Sequence, residues 1–494
     1  MAQSKGVLPR GEDKDVLYKN PQTCGYFIGV KLDPVMDRAR LEAWFGQVDA
    51  LIAQLVDRLP PKQGQEKGDK VAAVAVGLAP SFFSLNGQPR FDPPIELPAG
   101  FRPSVPNAAA GQPDVPNPLP NATAPLAGVA VVDADVLFYV ASVFEARVNE
   151  FVSRLVTLRP DVAAVTLDRG YQRIDGTEPF GYADGLRNIR TGERPRFVFV
   201  HRDQRQVEEP AWADGGTYMA FMRIRQQPDA FAALPDDETR NATIGRQKDG
   251  TRLDLVGQGI DAKHEPTEPA PNLPATSHVL KAGPRTRHDD TQIFRRGLPF
   301  MEAVDGQLRV GLNFCSFQAS LDQLDVVFND WMMNPRFPVE QGGGADALLD
   351  PTKQLTMIEK VGFFFVPPHE NAGLAASVLA QKAEHGKPET GRLGVRKRVV
   401  DDSDSGKRFE RGGFVFQVLD SQGQPVGAQF TSDSTGRAIA PAELNLGATY
   451  TLQEVASQLV QNVELTTVPF TMDKPHKELM LVNHVTRPNT PYST

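Results

Sequence analysis

Apolar and polar positions follow a strand–helix–strand order twice in the first third of the chain. Strands are predicted where apolar residues alternate or run together, and helices where they recur every three or four positions. The predicted elements are a strand at 25–32, a helix with apolar positions from 41 to 55, a strand at 71–78, a strand at 135–141, a helix at 144–158 and a strand at 162–167. Two such units predict an α+β fold with antiparallel sheets.

The same order of patterns returns in the next two hundred residues. The predicted elements are a strand at 217–225, a short helix beginning at 236–238, a strand at 309–318, a helix at 321–332 and a strand at 361–366. Residues 88–128 and 249–276 lack periodicity and are rich in turn formers, so they are predicted to be long loops. Residues 88–128 are alternatively a segment that orders on something else.

The C-terminal region has a different pattern, with short strands separated by Gly, Ser and Asp turns. Strands are predicted at 393–399, 414–419, 449–455 and 478–484, which indicates a small all-β sandwich. The predicted domains are a first domain at 1–370 with halves at about 20–170 and 171–370, a linker at 371–390, and the sandwich at 391–490.

Composition narrows the class of protein. The chain has 494 residues, which favours more than one domain, and its net charge of −8 argues against a nucleic-acid-coating protein. Its two cysteines exclude a disulfide framework and a Cys-rich metal site. No run of 18 apolar residues and no signal-peptide core are present, so we expect a cytoplasmic protein without a membrane span.

The stretch Phe-Gly-Tyr-Ala-Asp-Gly at 180–185 is the leading candidate for chemistry. Asp184 lies between Gly181 and Gly185, which let the backbone approach a bound group closely. An isolated Asp-Gly pair is more often a turn. The blocks that follow it in order are 216–225, Ile-Gly-Arg-Gln-Lys at 244–248, Ser277-His278, Ile-Phe-Arg-Arg-Gly-Leu-Pro-Phe at 293–300, Phe-Cys-Ser-Phe-Gln at 314–318 and Gly-Phe-Phe-Phe-Val-Pro-Pro at 362–368.

In this order the blocks resemble the dye-decolorizing peroxidase family, and the resemblance runs from about Tyr26 to Pro368. It implies a duplicated ferredoxin-like fold that binds haem b between its halves. The implied activity is a peroxidase that uses hydrogen peroxide to oxidise bulky dyes, phenolics or similar reductants in one-electron steps. The alternative is a haem-binding or haem-processing protein, such as a porphyrin carrier or an iron-releasing protein, with little peroxidase turnover.

The resemblance gives His278 the role of axial ligand to the haem iron. A lone histidine is otherwise more often a hydrogen-bonded structural residue. An axial imidazole is suited to this role because its second nitrogen can donate to a carboxylate, which increases electron donation to the iron. The sequence leaves the carboxylate open, with Glu359 and Asp322 as candidates.

The resemblance also assigns Asp184 and Arg295 to the side of the haem where peroxide binds. Cleavage of the O–O bond needs a group that moves a proton and a fixed positive charge that stabilises the developing negative charge. Asp184 is the expected proton shuttle and Arg295 the expected cation. Some relatives carry an asparagine at the position of Gly297, and this chain lacks that side chain.

Other haem contacts are expected on the same grounds. Arg246 matches an arginine that pairs with a haem propionate, which suits a planar guanidinium. Gly181, Phe294 and Phe314 are candidates for the lining of the cofactor cavity, although the two rings are equally well explained as core. Trp212, Trp331 and Tyr218 are candidate surface residues for electron relay to substrates that cannot reach the haem.

The C-terminal region resembles the collagen-adhesin B-type module of bacterial surface proteins, which often carries an internal Lys–Asn isopeptide bond. Lys397, Glu454 and Asn483 match the lysine, acid and asparagine of that bond. Formation of the bond needs a neutral amine and a buried acid. Three unrelated residues on a sandwich are an equally weighted reading. The module's relatives are mostly extracellular, which competes with the cytoplasmic expectation, and homo-oligomerisation stays open.

Overall fold

The structure is a computed structural model of the chain. The described residues are 24–55, 72–101, 105–106, 129–158, 161–183, 186, 189, 193–201, 209–260, 264–267, 269, 272–285, 291–338, 343–350, 352–368, 373–379, 390–401, 407–408, 411–457, 465–473 and 476–485.

The first half contains the two predicted strand–helix–strand units. Its elements are β1 (Cys24–Leu32), α1 (Arg38–Leu55), β2 (Ala72–Leu78), α2 (Pro80–Phe83), β3 (Ser84–Leu85), β4 (Gln88–Pro89), β5 (Val105–Pro106), β6 (Ala130–Val131), β7 (Val136–Ser142), α3 (Glu145–Val156) and β8 (Val162–Tyr171). The long strands pair antiparallel in the order β2-β7-β1-β8.

The second half follows the same plan with more helices. Its elements are α4 (Arg194–Phe197), β9 (Thr217–Gln226), α5 (Pro228–Ala232), α6 (Asp237–Ile244), α7 (His278–Ala282), β10 (Phe294–Arg295), β11 (Leu298–Val304), β12 (Gln307–Gln318), α8 (Leu321–Asp325), a π-helix (Val326–Met332), β13 (Thr356–Val366) and α9 (Gly373–Leu379). Strands β12-β9-β13 continue the sheet of the first half through the pairing of β13 with β2. The predicted α+β fold with duplicated ferredoxin-like halves is confirmed.

The two halves share one apolar layer. Residues on one face of each half form this layer, with Phe27 and Tyr139 from the first half against Phe221 and Phe317 from the second. The opposite face of the first half is covered by α1 and α3, whose spaced apolar residues pack on β1, β2 and β7. The opposite face of the second half is covered by α8 and the π-helix.

The segment after β13 corrects the predicted linker at 371–390. Helix α9 packs on α1, with Leu374 and Val378 fully buried, and the Leu374 amide donates to Asp49 Oδ2 at 2.9 Å. The spacing of its two apolar residues, four apart, is that of one helix face. The first domain therefore extends to at least residue 379.

The C-terminal module consists of two sheets around one core. Its strands are β14 (Thr390–Asp401), β15 (Lys407–Arg408), β16 (Phe414–Leu419), β17 (Pro425–Thr431), β18 (Arg437–Ile439), β19 (Leu444–Asn445), β20 (Thr449–Ser457), β21 (Thr467–Thr471) and β22 (His476–Val485). Strand β5, from the predicted loop at 88–128, pairs with β22. That region therefore contributes to the module's sheet.

Within the described ranges, no helix is both long and apolar enough to cross a membrane.

Candidate active site

His278 is held in a defined orientation by a buried carboxylate. It is the first residue of α7, which Ser277 caps by accepting a hydrogen bond from the Leu280 amide. His278 Nδ1 lies 2.7 Å from Asp346 Oδ2, and the Asp346 side chain is fully buried. With Nδ1 bonded to Asp346, Nε2 is the ring nitrogen available to a metal, and about a third of the His278 side chain is exposed.

The carboxylate partner of His278 is Asp346, so both candidates from the sequence, Glu359 and Asp322, are wrong. Glu359 accepts from Arg223 Nε at 3.1 Å, and Asp322 pairs with Arg396 at 3.2 Å. Asp346 follows a glycine-rich stretch without periodicity and lies 68 positions from His278, so no sequence pattern links the two residues.

The main chain around Asp346 fixes this carboxylate in place. The Asp346 amide donates to the Met332 carbonyl at 2.7 Å, and Asp346 Oδ1 accepts from the Leu348 amide at 2.9 Å. The Ala347 amide donates to the Thr276 carbonyl at 2.8 Å. The carboxylate and the start of α7 are thus joined by backbone hydrogen bonds as well as by the His278 side chain.

Arg246 lies in a tight turn that packs between two other predicted blocks. A Cβ added to Gly245 would lie 2.9 Å from the Val279 Cβ, and one added to Gly250 would lie 3.4 Å from the Ala183 Cβ. Gly245 and Gly250 flank Arg246, Val279 follows His278, and Ala183 precedes Asp184. The structure therefore brings the Gly181–Ala183 segment, the Arg246 turn and α7 together.

The Arg246 guanidinium forms hydrogen bonds within the protein, to Glu265 and to the Gly250 carbonyl. Its two terminal nitrogens contact Glu265 at 2.7 and 2.8 Å, and one of them also donates to the Gly250 carbonyl at 2.8 Å. Both side chains are buried. The prediction that Arg246 binds a propionate stays a prediction, and it requires Glu265 to share or release the guanidinium.

Asp184 and Gly185 lie outside the described residues, so the role predicted for Asp184 stays a prediction. The preceding segment is well anchored, because the Tyr182 hydroxyl donates to Asn241 Oδ1 at 2.7 Å and the Ala183 amide donates to the Lys248 carbonyl at 3.1 Å. Gly181 has a φ of 86°, and apart from its two chain neighbours no atom of the described residues lies within 4 Å of the position of its missing Cβ. This glycine is needed for its left-handed backbone.

Arg295 lies on the face of the second half that α8 and the π-helix cover. It pairs with Ser316, which pairs with Ala220, and directly opposed residues of an antiparallel sheet share a face. Phe314 is on the same face because side chains alternate along β12. Ser316 is fully buried, and within the described residues its hydroxyl has no hydrogen-bond partner.

Phe294 lies on the other face, although the sequence grouped it with Phe314. It pairs with Phe317 and belongs to the apolar layer between the halves. The guanidinium groups of Arg194 and Arg296 lie over its ring, at 4.4 and 4.9 Å from the centroid. Burial, and next the charge of Arg296, lower the pKa of Arg194 to about 10. This register argues against contact between Phe294 and a group that Arg295 touches.

The three candidates for surface electron relay are buried. Trp331 is fully buried, Tyr218 is 1% exposed and Trp212 is 8% exposed. Tyr218 donates to Glu209 Oε1 at 2.7 Å, and burial together with that carboxylate raises the pKa of Tyr218 well above its usual value. The description of these residues as surface residues is therefore wrong. Their aromatic contacts explain them as core.

The described residues hold no group of side chains that could bind a bare metal ion. No group of three or more His, Cys, Asp and Glu residues in the described part of the chain is arranged to hold a metal ion. A single axial histidine does not need such a group, because a porphyrin supplies the other ligands.

A second set of predicted residues comes together in the C-terminal module. Lys397 Nζ contacts Glu454 Oε1, and Asn483 Nδ2 donates to Glu454 Oε2 at 2.7 Å. All three side chains are buried. Burial, which outweighs the charge of Glu454, lowers the pKa of Lys397 to about 8. The three residues are therefore neighbours in the core of the module.

Comparisons with known proteins cover the second half of the first domain most directly. Residues 177–371 match the family described as Dyp-type peroxidase, C-terminal. The chain is similar to the deferrochelatase of Yersinia pestis bv. Antiqua (strain Nepal516), with 29% identity over 153 residues, or 29% of this chain and 34% of that protein. It is 26% identical over 217 residues to the deferrochelatase of Escherichia coli O157:H7, or 39% of this chain and 49% of that protein. The chain thus matches about a third to a half of the length of these relatives.

Solved structures extend the likeness to the whole first domain. A DyP-type peroxidase from Cellulomonas bogoriensis has a TM-score of 0.50 and 21% identity, with 77% of this chain and 99% of that chain covered. Ferric DtpA from Streptomyces lividans has a TM-score of 0.54 and 19% identity, with 76% and 98% covered. The chain has the fold of these proteins.

Proposed function

We propose that this chain, which has the DyP-type peroxidase fold and carries that family's C-terminal region at residues 177–371, is a haem peroxidase. The observation that supports the proposal most strongly is the His278–Asp346 pair at 2.7 Å. A histidine whose Nδ1 is held by a buried carboxylate is an arrangement typical of a metal-ligating histidine, with Nε2 free to face the metal.

The resemblance implied a haem b group between the two halves, but buried apolar side chains occupy that layer. The residues present instead fit a haem b group at the outer face of the second half. His278 would supply the axial nitrogen, and Arg295 and Phe314 lie on the sheet face that is covered by the π-helix, which also contacts α7. The buried Ser316 hydroxyl on that face has no partner in the described part of the chain, as expected where a polar or planar group completes the packing. When bound, haem would supply the redox chemistry with peroxide.

The chain's own residues would position the reactants and move protons. Asp346 accepts the Nδ1 hydrogen of His278 and so fixes the ring orientation and the tautomer. Arg295 would supply a permanent positive charge, because a guanidinium stays protonated at all relevant pH values. Asp184, next to the anchored Ala183, would carry the proton between the two peroxide oxygens.

We propose that the reducing substrates are bulky dyes and phenolics, which would lose electrons to the enzyme one at a time. The test is an absorption spectrum of the haem-loaded chain with and without hydrogen peroxide, followed by dye turnover. A peroxide-dependent spectral change and dye loss are expected. A chain that stays colourless with ample haem would contradict the proposal.

A second candidate is release of iron from haem, because the curated relatives are named deferrochelatases. Chromatography of the porphyrin after incubation separates the two activities. Iron-free porphyrin without dye oxidation would favour iron release, and intact haem with dye oxidation would favour the peroxidase.

We also propose that the C-terminal module is of the collagen-adhesin B type and forms an isopeptide bond. Lys397 Nζ would attack the Asn483 side-chain carbonyl, a C–N bond would form, and ammonia would leave with a proton relayed by Glu454. The contacts of both residues with Glu454 and their burial support this step.

Intact mass tests the bond, because its formation lowers the mass by one ammonia relative to the mass calculated from the sequence. The Lys397→Ala variant should show the mass calculated from its own sequence, without this loss. The rate should rise as pH increases through about 8, since the neutral amine is the nucleophile and burial lowers the pKa of Lys397 to about 8. An unchanged mass under all conditions would contradict the proposal.

We also propose a cytoplasmic location, which cell fractionation tests. Light scattering tests whether the chain forms a homo-oligomer.

A further inference from the structure

The segment 320–332, called here the acidic segment, carries three buried aspartates. Asp322, Asp325 and Asp330 are at most 3% exposed. Ser320 and Gln323 form a capping box at its start, and the helix changes from α to π geometry after Asp325. Buried carboxylates are costly without partners, so the position of their partners decides how this segment is held.

The C-terminal module supplies cationic partners to these aspartates, in addition to hydrogen bonds within the segment from Ser320 to Asp322 and from Asn329 to Asp325. Arg411, which is 1% exposed, donates to Asp325 Oδ2 at 2.8 Å and to Asp330 Oδ1 at 2.9 Å. One guanidinium thereby joins residues on both sides of the change in helix geometry. Burial alone would lower the pKa of Arg411, but Asp325 and Asp330 more than offset it and raise that pKa.

The other end of the acidic segment has a second cluster. Asp322 accepts from Arg437 Nε and lies 3.2 Å from Arg396 Nη2, and both arginines also contact Glu478. Arg398 lies 3.7 Å from Asp325. Among the described residues, four arginines of the module therefore face three aspartates of the acidic segment, and Glu478 of the module itself contacts two of these arginines.

The far end of the same segment supports the candidate active site. The carbonyl of Met332, its last residue, accepts from the Asp346 amide at 2.7 Å. Lys281 Nζ, in α7, donates to the Asn334 carbonyl at 2.7 Å, just beyond the segment. A continuous set of contacts therefore runs from Arg411 through the π-helix to Asp346 and His278.

We propose that the C-terminal module acts as an internal brace for the candidate active site, with Arg411 as the positioning residue. Arg411 fixes the π-helix, the π-helix fixes Asp346 through Met332, and Asp346 fixes the His278 ring. This inference rests on the proposed function for the meaning of His278, but the mechanical connection does not require haem. π-Helical turns are rare and frequently occur at functional sites, so an external support for this turn is physically reasonable.

The test compares Arg411→Met with Arg392→Met in the full chain without haem. Arg392 is a matched control because it is on β14 of the same module, is half-exposed and lies 3.9 Å from Glu443. Arg411→Lys is a milder variant that keeps the charge but cannot span both aspartates. Hydrogen exchange followed by mass spectrometry reports the amides of 326–332 and 346–348. The ring nitrogens of His278 are followed with ¹⁵N-histidine, and His278→Ala identifies their signals among the eight histidines.

For Arg411→Met we expect at least about ten-fold faster exchange in both peptides, because two buried aspartates lose a shared partner. The His278 ring signals should shift in parallel, Arg411→Lys should give a smaller shift, and Arg392→Met none. Peptides from β9 and β16 show whether both parts stay folded. If Arg411→Met loosens those strands too, Arg411→Lys is judged by the same criteria.

The proposal is overturned if exchange rises in 326–332 while 346–348 and the His278 signals stay unchanged. It is also overturned if Arg392→Met reproduces the effect of Arg411→Met. Failure of the proposed function has a different signature, since a wild-type chain that takes up no haem leaves these measurements on the haem-free protein intact.

Discussion

The two halves of the first domain share a strand order but differ in what covers their outer faces. In the first half, α1 and α3 seal the face with apolar residues such as Trp44, Phe45 and Phe151, all at most 3% exposed. In the second half, the corresponding face carries Arg295 and Ser316, and a short helix with His278 lies among the elements above it. The same architecture thus serves as a core in one half and presents polar groups in the other.

The difference shows how a duplicated fold can divide its tasks. A face covered by two amphipathic helices contributes stability through burial of apolar area. A face covered by short helices, a π-helix and loops gives up part of that burial and gains positions for polar side chains. Substitutions in the two halves should therefore affect different measured quantities.

The largest expected effect is from His278→Ala. The haem-loaded protein should lose axial ligation, seen as loss or displacement of the main haem absorption band. His201→Ala is the matched control, because His201 Nε2 lies 2.7 Å from the Pro195 carbonyl and His201 has no role in the proposed haem site. Unchanged iron coordination in His278→Ala would remove the functional difference between the halves.

Trp44→Ala tests the opposite half. The free energy of unfolding should fall by about 3–5 kcal/mol, because a fully buried aromatic side chain is deleted from the core. Haem uptake per folded molecule should be unchanged. Denaturant titration measures the first quantity and absorbance the second. Ser316→Ala, on the second half's outer face, should cost much less stability, and an equal cost would contradict the comparison.

Arg295→Leu should lower kcat/KM for peroxide by about 100-fold or more, because a fixed positive charge near the developing negative charge is lost. Stopped-flow measurement of the reaction with peroxide is the readout, and haem content should stay constant. Arg173→Leu is the control, because the exposed ion pair between Arg173 and Asp175 contributes little to the stability of the fold. Equal rates in the two variants would exclude Arg295 from the chemistry.

Asp346→Asn should have the smallest effect of the four, a decrease of about 10- to 100-fold in turnover with haem retained. The reason is that an amide holds the ring less strongly and favours a different protonation of Nδ1. Glu359→Gln is the control, because the sequence analysis offered Glu359 as the partner of His278, whereas in the structure Glu359 accepts a hydrogen bond from Arg223. If Glu359→Gln were the more damaging change, the assignment of Asp346 would be wrong.

Much of the fold could be predicted from the sequence, because strand and helix periodicities are local. The strand predicted at 25–32 is β1, and the helix with apolar positions from 41 to 55 is α1. The predicted helix at 321–332 is a helix throughout, although its second part is π-helical. Apolar periodicity over so few residues does not distinguish α from π geometry.

The candidate site was less predictable for a physical reason. His278 and Arg295 occur in recognisable blocks, but Asp346 is brought to His278 by the fold across 68 positions. The faces of Phe294 and Phe314 follow from strand register, which is known only once Arg295 is seen opposite Ser316. Burial of the proposed relay residues was missed because aromatic residues suit both core and relay.

The pairing of β5 with β22 has a consequence for how the chain reaches this structure. Val105 pairs with Leu479, so the two residues are 374 positions apart (479 − 105). Strand β22 also pairs with β14. Both β5 and β14 therefore lack their partner strand until β22, which is synthesised later, has left the ribosome. Such distant pairings are slow to form and leave strand edges open to wrong partners in the meantime. Newly made chains are therefore expected to depend on protection from aggregation until synthesis has passed β22.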